Sequence, residues 1–292
     1  MENSLPLGQV IVALVIDENK TDYFVQRQGV TYQLSKEEGS HQIGDSVEGF
    51  IYRNQKNKLI MTTVIPKVRN GHYAFCPVTG VRRDLGVFVD IGLKDKDLLV
   101  SMDEMPAMGE LWPKVGDHLM VTLKVDDKER LWGSLVTESI VKGITRRATK
   151  KDLNRNVTGI VIRNKFVGTF VLTTDYQLGF IHPSERFMEP RLGETIKARV
   201  IGIGHDSMLN LSMKPRTHEV IDDDAQMILM FLKRSATKSI PYSDKSTPEE
   251  IQAKFAISKS QFKRALGRLM KENKIYQKDG VTYLVQEDEQ YE

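Results

Sequence analysis

The chain has 292 residues, 40% of them hydrophobic and 28% charged, with a formal net charge of +3 and one cysteine. That length implies two to four folding units, and the mild positive excess permits a polyanionic partner without demanding one. The sequence lacks an apolar run of about 20 residues, which excludes a helical membrane span, and Cys76 cannot form an internal disulfide, which points to a reducing, cytoplasmic setting.

The opening Met-Glu-Asn-Ser-Leu-Pro has no basic region followed by an apolar core, so no secretory signal is expected. From Leu7 to Thr63 the sequence alternates apolar and polar residues in short runs, the period-2 signature of half-buried strands. The runs are Gly8-Gln-Val-Ile-Val, Tyr23-Phe-Val, Thr31-Tyr-Gln-Leu, Ile43-Gly-Asp-Ser-Val-Glu-Gly-Phe-Ile and Lys58-Leu-Ile-Met-Thr-Thr. Five such runs fit a small five-stranded barrel of the oligonucleotide-binding (OB) type. Tyr23, Phe24 and Tyr32 are its candidate stacking residues, although the turns of this barrel are irregular and a spacer role is the competing reading.

The plan returns between Gly71 and Thr137, with Gly86-Val-Phe-Val-Asp-Ile-Gly-Leu, Lys96-Asp-Leu-Leu-Val and a closing run from Val125 to Gly133. Phe88, Arg130 and Trp132 are the candidate ligand contacts there. Residues 142–155 carry six basic residues and one acidic one. They read as a basic linker in which Arg146, Arg147, Lys150 and Lys151 could meet phosphates and steepen the salt dependence of binding.

The third barrel, residues 156–215, is the clearest. It contains Gly159-Ile-Val, Gly168-Thr-Phe-Val, Gly179-Phe-Ile-His-Pro-Ser-Glu, Leu192-Gly-Glu-Thr-Ile-Lys-Ala-Arg-Val and Leu209-Asn-Leu-Ser-Met-Lys. Alternation puts Phe170 opposite Val171, and puts Phe180 and His182 on one face with Ile181 on the other. Flat aromatics beside a histidine suit stacking of a single-stranded nucleic acid; the competing reading makes them ordinary core residues. A Gly-Asp or Gly-Glu pair precedes the fourth strand in all three units, at Gly44-Asp45, Gly116-Asp117 and Gly193-Glu194. The fold class is therefore multidomain: barrels over 1–64, 65–141 and 156–215, then a different domain.

From Glu219 the pattern becomes helical. Asp222-Asp-Asp reads as a helix N-cap and dipole complement, followed by a stripe of Ile228, Phe231 and Leu232. Thr247-Pro-Glu-Glu and Ser258-Lys-Ser-Gln are capping boxes. Phe262, Ala265, Leu266 and Leu269 give the third helix its buried face. Asp279-Gly280 between two β-prone runs signals a hairpin. Three helices and a hairpin make an α+β winged helix over 219–285, with Lys259, Lys263, Arg264, Arg268, Lys271 and Lys278 as candidate nucleic-acid contacts. The acidic residues 286–292 read as a disordered tail.

The third unit resembles the RNA-binding domain first described in ribosomal protein S-one. That resemblance implies a binding face carrying aromatics at the positions of Phe170 and Phe180; Arg186 and Asn210 are further candidate RNA contacts of this barrel. Asn210 stands where an arginine is common, and Val167 where a further aromatic is often found. The whole chain resembles the CvfB-like (conserved virulence factor B) proteins of Gram-positive bacteria. The matching wording is Asp90-Ile-Gly-Leu, Lys96-Asp-Leu-Leu-Val, Asp244-Lys-Ser-Thr-Pro-Glu-Glu-Ile and Ser258-Lys-Ser-Gln-Phe-Lys. The resemblance implies a cytoplasmic RNA-binding protein that influences expression of other genes, virulence factors included.

No enzyme is expected. The six histidines show no ligand spacing, and the sequence has neither a phosphate-cradling Gly-x-x-x-x-Gly-Lys nor a Gly-x-Ser-x-Gly turn. No cofactor or metal is implied. The expected partner of this monomer is single-stranded RNA; the alternatives are a transcription factor reading duplex DNA and a scaffold docking ribosome or polymerase components.

Overall fold

The computed structural model describes residues 5–204 and 206–285, so the tail expected to be disordered lies outside the described residues. The chain divides after Lys214 into two compact units. The first holds three closed barrels. The first barrel comprises β1 (Val10–Glu18), β2 (Asp22–Arg27), β3 (Val30–Ser35), β4 (Ser46–Arg53) and β5 (Leu59–Thr62). The second comprises β6 (Ala74–Arg82), β7 (Gly86–Val89), β8 (Leu98–Ser101), β9 (His118–Val125) and β10 (Leu131–Leu135). After a short helix α1 (Glu138–Ile144) comes the third: β11 (Asn156–Lys165), β12 (Gly168–Thr173), β13 (Leu178–Ile181), β14 (Thr195–Ile203) and β15 (Leu209–Ser212).

Each barrel closes in the strand order one, two, three, five, four, and only the third and fifth strands run parallel. Alternation fills the interiors. Val15, Val25, Leu34 and Met61 are fully buried in the first barrel, and Val161, Val171, Ile181 and Leu211 in the third. Each such side chain contributes about 1.5–3 kcal/mol by leaving water.

The repeated Gly-acid pair has one structural job in all three barrels. Gly44, Gly116 and Gly193 adopt φ of 97°, 92° and 81°, a left-handed turn that L side chains disfavour. The carboxylate of the next residue accepts the N–H three residues back: Asp45 from Gln42 (2.7 Å), Asp117 from Lys114 (2.7 Å) and Glu194 from Arg191 (2.9 Å). The turn then brackets one valine of the barrel's first strand. Gly44 N–H donates to Val15 O, Gly116 to Val78 O and Gly193 to Val161 O, and each valine N–H returns to the acidic residue's carbonyl. Strand register shifts immediately after each of those valines. The pair thus pins a bulge that bends the strand around the barrel.

The barrels are docked to each other. Between the first and second, Tyr52 OH donates to Asp95 (2.7 Å) and Lys96 Nζ to Arg53 O (2.6 Å). Between the second and third, His118 N–H donates to Gly193 O (2.9 Å), and Arg191 reaches both carboxylate oxygens of Asp117 at 3.2 Å. Met120, Val136, Val141, Ile162 and Leu172 form one apolar cluster across that joint, with α1 supplying Val141. Residues 142–155, read from the sequence as a basic linker, are folded against the third barrel. Arg146 N–H donates to Tyr176 O (2.7 Å), Ala148 N–H donates to Ser207 O (3.0 Å), and Ala148 and Asp152 are buried.

The second unit comprises α2 (Thr217–Arg234), β16 (Ser239–Ile240), α3 (Pro248–Phe255), α4 (Lys259–Lys271), β17 (Ile275–Lys278) and β18 (Val281–Leu284). Its sheet has the order β16, β18, β17, so a short strand missed in the sequence completes the winged helix. Both capping boxes form, Thr247 with Glu250 and Ser258 with Gln261. At the hairpin tip Asp279 and Gly280 both take positive φ, 52° and 80°, the pairing a two-residue turn needs. Asp222, Asp223 and Asp224 are not an N-cap, because α2 begins five residues before Asp222. Asp222 instead pairs with Arg268, and burial raises the Asp224 carboxyl above its usual range.

Candidate nucleic-acid interface

Cross-strand register decides which side chains share the outer face of each barrel. In the third barrel Phe170 pairs with Arg163 on one side and Phe180 on the other. Phe180 in turn faces Asn210, and Asn210 faces Gly202. The row Arg163, Phe170, Phe180, Asn210 therefore runs around the barrel, with Val161, Val171, Ile181 and Leu211 packed inside. The two phenylalanines are half-buried, with ring centroids 5.3 Å apart and planes inclined at 57°. Phe180 lies over Gly168, where an added Cβ would come within 2.6 Å of the ring. Lys165 Nζ sits 5.4 Å from the Phe170 centroid. This surface offers aromatic faces next to cations, which is what bases and phosphates need.

His182 stands at the end of β13 as the N-cap of a 3-10 turn over Pro183–Glu185. Ser184 N–H donates to its Nδ1 (3.2 Å) and Ser184 Oγ lies 2.8 Å from the same atom, while Nε2 forms no hydrogen bond among the described residues. Ser35 and Ser101 occupy the same capping position in the first and second barrels.

Arg186, expected at the surface, is a correction. Its side chain is 9% exposed and pairs with Glu189 (2.8 Å), and Nη1 donates to Thr169 Oγ1 (2.8 Å). It ties the 185–190 loop to β12 and presents no free cation. The loop exposes Phe187 and Met188, and Lys214 Nζ lies 5.7 Å from the Phe187 ring. Phe166, at the tip of the β11–β12 hairpin, is fully exposed beside Val167. Asn164 Nδ2 joins these two loops by donating to Pro190 O (2.9 Å). The sequence reading missed Phe166 and Phe187; an aromatic followed by an aliphatic residue in a loop between strands was the available signal.

In the second barrel the same row is Gly80, Phe88, Leu99, Trp132 and Lys124. Leu99 replaces the second phenylalanine. The Arg130 guanidinium lies 5.1 Å from the Trp132 ring and pairs with Asp126 (2.7 Å), which also accepts from Trp132 Nε1 (3.0 Å). Burial opposes ionisation of Asp126, but the hydrogen bonds from Arg130 and Trp132 outweigh it and hold the carboxyl well below its usual range. A groove of about 570 Å³ separates this face from the first barrel, with Arg53, Lys96 and Trp132 on its walls. Arg53 is paired with Glu129 (2.8 Å), and burial holds Lys96 below the usual lysine range.

The first barrel is the weaker candidate. Its row is Asp17, Phe24, Gln33, Ile60 and Tyr52. Of its two aromatics only Phe24 is accessible, because Tyr52 is buried at the joint. Tyr23 and Tyr32 point inward, 5% and 1% exposed, so neither can stack on a ligand. Tyr32 pairs with Val25 as Gly179 pairs with Val171, so it takes the inward position that Gly179 holds in the third barrel.

Arg146, Arg147, Lys150 and Lys151 all have exposed side chains on the packed segment before β11. On the winged helix Lys263, Arg264 and Lys271 of α4 are exposed, as is Lys278 at the hairpin, while Lys259 is half-buried. Arg268 is held by Asp222 and by Glu272 (2.9 Å) and is not a free cation. Cys76 is buried, and burial pushes its thiol up to about 11. No helix among the described residues is long and apolar enough to cross a membrane.

Family models match along the chain: an S1 domain over residues 7–64, the CvfB first S1-like domain over 73–134, the second domain of virulence regulatory factor CvfB over 141–215, and a CvfB-like winged helix domain over 226–284. The uncharacterized protein YitL of Bacillus subtilis is 38% identical over 97% of this chain and 95% of its own length. Conserved virulence factor B of Staphylococcus epidermidis is 37% identical over 80% of this chain and 78% of its own length. A crystal structure of a multidomain protein with nucleic acid binding domains from Streptococcus pneumoniae is 49% identical with a TM-score of 0.70, covering 96% of this chain and 99% of that one. With three S1-like barrels followed by a winged helix, and relatives this similar over most of its length, the chain belongs to the conserved virulence factor B (CvfB) family.

Proposed function

We propose that this protein is a non-catalytic regulator of gene expression that binds single-stranded RNA in the cytoplasm as a monomer. The observation that carries this reading is the outward row of the third barrel, where Phe170 and Phe180 sit directly opposite each other between Arg163 and Asn210. Bases stack on the two rings, and Lys165, Lys214 and the exposed cations of residues 146–151 meet phosphates. Stacking of this kind tolerates many sequences because every base has a π-face. Phe88 and Trp132 form a second, sparser platform on the second barrel, and Phe24 a minor one on the first.

The exposed side of α4, with Lys263, Arg264 and Lys271, adds a further phosphate-binding surface on the winged helix. The name of the staphylococcal relatives, conserved virulence factor B, supports a role that extends to virulence genes. Fluorescence anisotropy with a labelled single-stranded RNA and a duplex DNA of equal length, titrated with salt, tests the reading. Tight RNA binding with a moderate salt slope and weak duplex binding supports it. Equal binding to both that vanishes at physiological salt would favour a docking scaffold, and a preference for the duplex would favour a transcription factor.

A further inference from the structure

Beside the Phe170 ring lies a pocket of about 270 Å³ between α1 and the third barrel. Phe170, Leu178, Ile162 and Met208 give it apolar walls, and Val136 contributes from the end of the second barrel. Its polar lining carries two acids and two bases, so the opposed charges suit a neutral ring better than a phosphate. The volume falls below the ~300–1,000 Å³ typical of sites that enclose a whole small ligand, which suits one flat ring.

Two of the four charged groups are already spent. Glu138 is engaged by Lys165 and Arg163, and Arg163 Nη2 donates to Val136 O (3.3 Å). The other two are not ion-paired among the described residues. Lys142 is exposed and only attracted at a distance by Glu138, and Asp206 uses one carboxylate oxygen to accept Met208 N–H (3.3 Å), the other forming no hydrogen bond among the described residues. The pocket therefore presents an unspent donor and an unspent acceptor around an apolar slot.

We infer that this pocket takes in one unstacked base of the RNA strand lying on Phe170, and that Asp206 and Lys142 read its hydrogen-bonding edge. The inference rests on the RNA-binding reading given above. It adds what a stacking platform lacks, since sequence-specific RNA recognition works by splaying a base out and bonding its edge. Phe170 belongs to both surfaces, so a strand stacked there delivers its neighbouring base to the pocket without leaving the barrel face.

The test uses the full chain and two labelled ten-nucleotide RNAs, all-uridine and all-cytidine, whose bases match in size and differ at the pairing edge. The wild-type protein should prefer one over the other by at least fivefold. Met208→Trp, which fills the slot, should bring that ratio below twofold while leaving affinity for the weaker RNA within twofold. Asp206→Asn combined with Lys142→Gln keeps the slot open and should also compress the ratio. An unchanged ratio in both variants, or no preference in the wild type, overturns the inference. If RNA is bound in a Phe170- and Phe180-dependent way while the ratio ignores the pocket, only this inference fails. If the wild type binds neither RNA, the RNA-binding reading fails with it.

Discussion

Phe170 and Phe180 face each other across β12 and β13 with ring centroids 5.3 Å apart, outside a barrel whose interior is already filled by Val171 and Ile181. Two large apolar rings left half-buried on an outer face forgo burial energy that the core could have used. A ligand with flat faces would recover it.

Arg186 separates a structural cation from a binding one. Its guanidinium is enclosed and bonded to Thr169 and Glu189. Arg186→Ala should cost about 1–3 kcal/mol of stability in urea unfolding, because it takes a donor from the buried Thr169 hydroxyl and the half-buried Glu189 carboxylate. A variant of normal stability that has lost RNA affinity would show that the residue works on the ligand.

Gly193 tests the recurring turn. An added Cβ would meet His118 O at 3.0 Å and Leu119 Cδ2 at 3.1 Å, at a φ of 81°. Gly193→Ala should destabilise the protein by about 1–3 kcal/mol from the left-handed conformation and the close approach together. Gly44→Ala, with open space around it, should cost only the backbone part. Equal losses at the two sites would mean that the contact with the second barrel contributes nothing.

Much of this architecture is legible in the sequence, because period-2 alternation, capping boxes and the Asp279-Gly280 turn are local signals. The barrels, the helices of the winged helix and the Phe170 and Phe180 face all follow from them. What was missed depends on register or on distant partners. Tyr32 reads as a stacking residue beside Tyr23 and Phe24, whereas the strand pairing sets it against Val25 inside the barrel. Arg186 and Arg268 look like surface cations until Glu189, Asp222 and Glu272 are brought to them by the fold. The packing of residues 142–155 onto the third barrel rests on Tyr176 and Ser207, which no local pattern announces.

Cys76 offers a check on the second barrel's core. With the thiol pushed up to about 11 by burial, about one in a thousand is ionised at pH 8. An aromatic disulfide reagent at that pH should label the native protein slowly, over hours, and the guanidinium-unfolded protein within seconds to minutes. Rapid stoichiometric labelling of the native form would contradict the buried placement.

On the winged helix, Lys263→Glu with Lys271→Glu should weaken RNA binding several-fold and lower the magnitude of the salt slope, since each lost phosphate contact removes about one released counterion. Arg268→Ala should leave the slope nearly unchanged, because Asp222 and Glu272 already occupy its guanidinium. A larger effect from Arg268 than from the lysine pair would place the contact surface elsewhere on α4.

The central claim is that RNA stacks on the third barrel, and the most direct measurement is the affinity of Phe170→Ala/Phe180→Ala for a short single-stranded RNA by anisotropy. Base–aromatic stacking contributes roughly 1–3 kcal/mol per base, so the double variant should bind at least tenfold more weakly while its circular dichroism stays native. A loss under threefold with the fold intact would remove the third barrel's aromatic row from the binding site.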